Sequence, residues 1–153
     1  MKRVSYDRCR LTTPIRRLDG ITYWVIADAC DIYDFMNTQL RQEWVGDAKD
    51  EGRQPKDDTW LQELPKRKWL LEILGLDSIK PNPYEFIPRT GHNFEGRLAQ
   101  RSTELRSAIE KYGSIIWPLT VRGEDMQLVD GYCRHRTLKN MTVTRVYAYV
   151  GRL

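Results

Sequence analysis

The residues best placed to do chemistry form one run, Asp130-Gly131-Tyr132-Cys133-Arg134-His135-Arg136. An apolar stretch from Met126 to Asp130 leads into it as a strand, and Tyr132 to Asn140 continue as a short helix. Gly131 permits a tight strand-to-helix turn and a close approach of backbone to ligand. A helix starting near Tyr132 points unpaired N–H groups and its positive dipole end toward that gap. Arg134, His135 and Arg136 add side-chain donors within the first turn or so. Together these make an anion site for phosphate or pyrophosphate, with Tyr132 and Cys133 in the same turn. The alternative is structural: Gly131 only turns the chain, the arginines are solvated, and Asp130 caps the helix.

The rest of the chain must hold that turn in place. It has 153 residues, enough for one domain with a sizeable core. Thr22 to Ala27 reads as a buried strand, and Ile32, Phe35, Met36, Leu40 and Trp44 repeat at helical spacing. Gly46 to Asp58 reads as a polar loop. Trp60, Leu61 and Leu64 predict a helical turn, after which Pro65 restarts a helix through Trp69, Leu70 and Ile73 that Gly75 stops. Phe94, Leu98, Leu105, Ala108, Ile109 and Tyr112 share one face of a long helix ended by Gly113. Ile115 to Val121 and Met126 to Asp130 are strands joined by the Gly123-Glu124-Asp125 turn. Thr144 to Val150 alternates as a final strand. The fold class is α+β.

Composition narrows the function classes. There are 25 Lys and Arg against 21 Asp and Glu, a net charge of +4 that suits phosphate ligands without establishing nucleic-acid binding. No apolar run approaches the roughly 20 residues that span a bilayer, so no membrane partner is expected. Cys9, Cys30 and Cys133 form neither a CxxC pair nor an even framework, which predicts free thiols and a cytoplasmic setting. Two histidines, His92 and His135, make a zinc site an unpromising reading.

Several segments in order resemble the ParB/sulfiredoxin-like superfamily. LVDGYCRHRTLKNMTVTRVYAYV (128–150) resembles its pattern of strand, Gly-x-x-Arg, helix and strand. LDSIKPNPYEFIPR (76–89) resembles its first box, which lies over the nucleotide, and ELRSAIEKYG with IIWPLTVRGEDMQLVDG complete the order. The resemblance covers about residues 70–153, a nucleotide-binding core with a small mixed sheet and flanking helices. Residues 1–69 are then an N-terminal elaboration packed on the same domain. Partition proteins of the group read Gly-Glu-Arg-Arg, where this chain has Tyr132 and Cys133. They also continue into a helix-turn-helix, so a complete partition protein is not expected. Sulfiredoxin places its catalytic cysteine where Tyr132 stands. The free-serine kinases read Asp-Gly-His-His-Arg, matching Asp130, Gly131 and Arg134.

That resemblance implies a protein that binds ATP or another nucleotide with Mg²⁺ and carries out phosphoryl transfer or NTP hydrolysis. Gly131, Tyr132, Cys133, Arg134, His135 and Arg136 would hold the phosphates. Glu85, in the first box, or Asp130 would act as acid, base or metal contact toward a hydroxyl-bearing acceptor or water. A loop carboxylate paired with Arg89 is the plain alternative for Glu85. Two other functions stay open. One is DNA binding or nuclease activity of phage or plasmid type, for which Arg97, Arg101 and Arg106 give a partial basic stripe. The other is a non-catalytic adaptor.

Overall fold

A computed structural model describes residues 15–50, 60–82 and 94–153. A two-stranded hairpin comes first, β1 (Ile15–Leu18) and β2 (Ile21–Trp24), turning at Asp19-Gly20. Asp19 adopts a positive φ, and its carboxylate takes the backbone N–H and the guanidinium of Arg145, tying the turn to a later strand. A helical stretch follows: α1 (Ala29–Phe35), a π-helical segment (Met36–Leu40) and α2 (Arg41–Asp50). Asp28 caps its start by accepting from the Asp31 N–H at 3.1 Å. The helix runs straight over Gly46, so the first part of the expected loop at 46–58 is helical, and 51–59 lie outside the described residues.

After α3 (Trp60–Glu63) and a 3₁₀ turn (Leu64–Lys66) comes β3 (Lys68–Gly75). The helix expected through Trp69, Leu70 and Ile73 is therefore a strand. Its eight residues all pair with β6 (Arg145–Arg152), an antiparallel partner that local helical spacing cannot reveal. A 3₁₀ turn (Leu76–Ser78) leads to Ile79, and the long helix α4 (Phe94–Tyr112) forms as its apolar spacing predicts. The hairpin β4 (Leu119–Arg122) and β5 (Gln127–Asp130), then α5 (Tyr132–Asn140), precede β6. Before β4, Ile116 makes only an isolated bridge to Tyr23. The strand expected from Ile115 thus begins after Pro118, which lacks a ladder donor.

The four-stranded sheet runs β3-β6-β4-β5, with β6 antiparallel to β3 and parallel to β4. Apolar side chains pack on both faces of the inner strand β6, while Leu70 and Ile73 on the edge strand β3 stay about half exposed. Val146, Ala148 and Val150 pack with Leu119, Val121, Leu128, Leu138 and Ile109. Tyr149 turns the other way, into Ile32, Met36, Trp69 and Val129, and its hydroxyl accepts the Ile26 N–H at 3.0 Å. Segments on either side of residue 69 therefore share one core, and β3 itself crosses that position. Gly151 leaves room for the Trp69 ring, since a Cβ there would lie 2.7 Å from two of its carbons. No helix among the described residues is long and apolar enough to cross a membrane.

Candidate functional site

The turn between β5 and α5 has the expected shape. Gly131 adopts φ 103° and ψ 32° at the helix start, and its carbonyl accepts the His135 N–H at 2.8 Å. No side chain caps this helix, so Asp130 does not serve as its cap. Instead the Asp130 carboxylate takes Arg134 Nη2 at 2.9 Å, one helical turn on. Arg134 Nη1 donates to the carbonyls of Trp117 and Pro118, each at 2.8 Å. The guanidinium expected to face a phosphate thus clasps the backbone just ahead of β4. Arg134→Ala should therefore cost about 2 kcal/mol of stability, because charged hydrogen bonds to half-buried acceptors are lost together. Urea unfolding would check this, and Arg134→Lys, which cannot fork, should recover less than half.

The basic groups that do face open space lie farther along α5. A cleft of about 530 Å³ between α4 and α5 is lined by Glu95, Thr103, Tyr132, His135, Arg136 and Lys139, with Pro81 at one side. Arg136 Nη2 holds Glu95 Oε2 across it at 2.7 Å. His135 is 5% exposed, and its Nε2 is buried without a hydrogen-bond partner among the described residues. Burial pushes the imidazole below its usual value. Lys139 and Arg136 add to that shift and Asp77 opposes it. A buried polar atom left unpaired costs roughly 1–3 kcal/mol.

Other elements bring the first box to the same neighbourhood. Lys80 lies beside β5 as a one-residue strand, with its N–H on Met126 O at 2.9 Å and its carbonyl on Leu128 N–H at 2.8 Å. Gln127 Nε2 donates to Asn82 O at 2.9 Å, and the Tyr132 hydroxyl donates to Leu128 O at 2.8 Å. The two segments that the resemblance linked, 80–82 and the Gly131 turn, are therefore adjacent. Glu85, Arg89 and His92 lie outside the described residues. Cys133 faces α4, where Ser102 Oγ donates to its sulfur at 4.0 Å.

Of the residues singled out from sequence, Tyr132, His135 and Arg136 come together in the cleft, while Asp130 and Arg134 pair elsewhere. Lys139, Glu95 and Thr103 belong to the cleft and were not foreseen. The i, i+3, i+4, i+7 spacing of Tyr132, His135, Arg136 and Lys139 is one helix face and could have yielded Lys139. A magnesium ion would arrive with phosphate oxygens, its usual partners, and the described cleft offers it one carboxylate, Glu95. Among the described residues no group of three or more His, Cys, Asp or Glu side chains could hold a metal by itself.

No family model matches the chain, and no curated protein does. Solved structures similar to part of it include two ParB N-domain structures. One is the structure of a pNOB8-like ParB N-domain, 23% identical with a TM-score of 0.41, over 57% of this chain and 29% of that one. The other is the C2221 form of a pNOB8-like ParB N-domain, 16% identical with a TM-score of 0.40, over 57% and 30%. The chain thus spans less than a third of the length of either. These are likenesses of fold, and the described part of the chain is α+β, running strand, long helix, hairpin, glycine turn, helix and strand.

Proposed function

We propose that this chain binds a phosphate-bearing nucleotide in the cleft between α4 and α5. The observation that carries the reading is the row His135, Arg136 and Lys139 along one face of α5, lining a cleft of about 530 Å³. Arg136 and Lys139 on a rigid helix suit several phosphate oxygens at once, with the mostly buried His135 beside them. Arg136 offers a planar fork and Lys139 a point charge. The cleft volume falls within the roughly 300–1,000 Å³ usual for small-molecule sites. Glu95 holds Arg136 in position before a ligand arrives, and the phosphate would take over that guanidinium.

Phosphoryl transfer or NTP hydrolysis is the finer form of this proposal. Asp130 is engaged with Arg134 and lies outside the cleft, so Glu85 is the acid or base candidate that remains. A DNA-directed role is the second reading. Of the three arginines of the basic stripe, Arg106 is paired with Glu110 at 3.2 Å and reaches the Asn140 carbonyl.

Calorimetric titration with ATP, ADP, CTP and GTP, with and without Mg²⁺, tests the reading. Arg136→Ala and Lys139→Ala should each weaken binding about tenfold, the loss of one charged contact, while unfolding free energy stays within ~0.5 kcal/mol. Unchanged affinity in both variants would move the ligand out of this cleft. Where turnover is seen, Glu85→Gln should lower it about 10²-fold and leave binding intact.

A further inference from the structure

Among the described residues that line the cleft between α4 and α5, His135 alone is of a type that titrates near neutral pH. It is 5% exposed, and its Nε2 is buried with no hydrogen-bond partner among the described residues. Its one printed bond, from the backbone N–H to the Gly131 carbonyl at 2.8 Å, belongs to the helix. No hydrogen bond to Nε2 among the described residues therefore fixes the ring as imidazole or imidazolium, and the charges around it decide.

Those charges come from three elements. Arg136 and Lys139 stand on α5 with His135, Asp77 lies on the 3₁₀ turn after β3, and Glu95 belongs to α4. Burial disfavours the imidazolium most, Lys139 adds to it, and Asp77 opposes both. Glu95 is engaged with Arg136 at 2.7 Å, so it leaves the charge of Lys139 uncompensated. The empty cleft thus keeps the ring neutral near pH 7. An anion held by Arg136 and Lys139 reverses the balance, because it cancels their repulsion and adds an opposite charge close by. Screened from water, the ring feels that charge more strongly than an exposed group would.

We propose that His135 couples occupancy of the cleft to proton uptake: a phosphate bound on Arg136 and Lys139 draws one proton from solvent onto the ring, which passes from neutral to a single positive charge. This rests on the phosphate reading of the cleft. It favours a ligand whose phosphate carries two negative charges, since a single one only offsets Lys139. The gain in affinity begins as pH falls through the titration of the occupied ring and is complete below that of the empty one.

Histidine NMR reads this step directly, since the chain has two imidazoles, His92 and His135, and His92→Gln leaves one. In the empty protein the His135 ring should titrate below 6.5. Saturation with pyrophosphate or ATP should raise its proton affinity about tenfold. Calorimetry with the same two probes, in two buffers of different ionisation enthalpy, should show about half a proton taken up per ligand near pH 6.5. His135→Gln should lose that uptake, and the wild-type advantage in affinity should grow about fivefold between pH 8 and pH 6. The ligand's own titration is common to both proteins and cancels. An unmoved His135 midpoint in the occupied protein, or equal uptake in His135→Gln, would overturn the inference and leave the cleft reading standing. Failure of both probes to bind would overturn the two together. The NMR titration keeps His135 in place, so it decides the matter even if His135→Gln does not fold.

Discussion

Gly131→Ala should lower the unfolding free energy by about 3 kcal/mol, from two additive sources. The first is backbone. A φ of 103° lies where an L-residue is strained, and the left-handed region costs roughly 1–2 kcal/mol even near its minimum. The second is contact. The new Cβ would sit 2.7 Å from Leu119 Cδ2 and 3.2 Å from Arg134 Nη2. Leu119 is fully buried at the start of β4 and cannot swing into solvent, so overpacking adds roughly 1–3 kcal/mol. Urea unfolding with an unchanged m-value would read the loss as a shift in midpoint. A loss below about 1 kcal/mol would mean that the turn relaxes without strain.

Arg67→Ala should cost about 3 kcal/mol, the low end for breaking a buried ion pair. The guanidinium is sealed from solvent. Nη1 donates to Glu124 at 2.7 Å and to the Gly151 carbonyl at 3.0 Å, and Nη2 meets Glu63. It thereby joins α3, the β4–β5 turn and the end of β6. The low end applies because both glutamates keep contact with water and can rehydrate once Arg67 is gone. Arg67→Met, which fills the space, should recover about 1 kcal/mol or more. A pH signature accompanies this. The Arg67 hydrogen bond holds the Glu124 carboxyl below its ordinary value of 4.5, against partial burial. Its stabilisation is therefore complete above pH 4.5 and fades as pH falls through the depressed value. In Arg67→Met that portion of the acid-induced decline should disappear.

Much of the second half was legible because local signals and tertiary context agree there. α4 carries an apolar stripe, Gly113 takes the left-handed conformation that ends it, and Gly131 does the same between β5 and α5. β3 was misread for a physical reason. Trp69-Leu70-Leu71-Glu72-Ile73-Leu74 is apolar on both sides, with Leu70 and Ile73 left about half exposed at the sheet edge, and such a run has no period that separates strand from helix. The role of Arg134 was hidden differently. Its acceptors, the Trp117 and Pro118 carbonyls, lie 16 and 17 residues upstream, and only the folded hairpin brings them within reach. Spacing therefore identified the turn, and only the folded chain shows that Arg134 is held by those carbonyls. Arg136 was legible in the turn and the helix face could have added Lys139, but the cleft itself exists only once α5 is placed against α4.

β6 is the inner strand that β3 and β4 both need, yet it follows every other described strand in the chain. During synthesis, β3 and the β4–β5 hairpin must wait until residues 145–152 are made before the sheet can close. Until then Trp69, Leu71 and Val121 lack the partners that cover them in the finished molecule. Such late, non-local pairing slows folding and exposes apolar edges in the interim. A nascent chain halted before Arg145 should accordingly be held by chaperones, and release of the remaining strand should act as the switch to protease resistance.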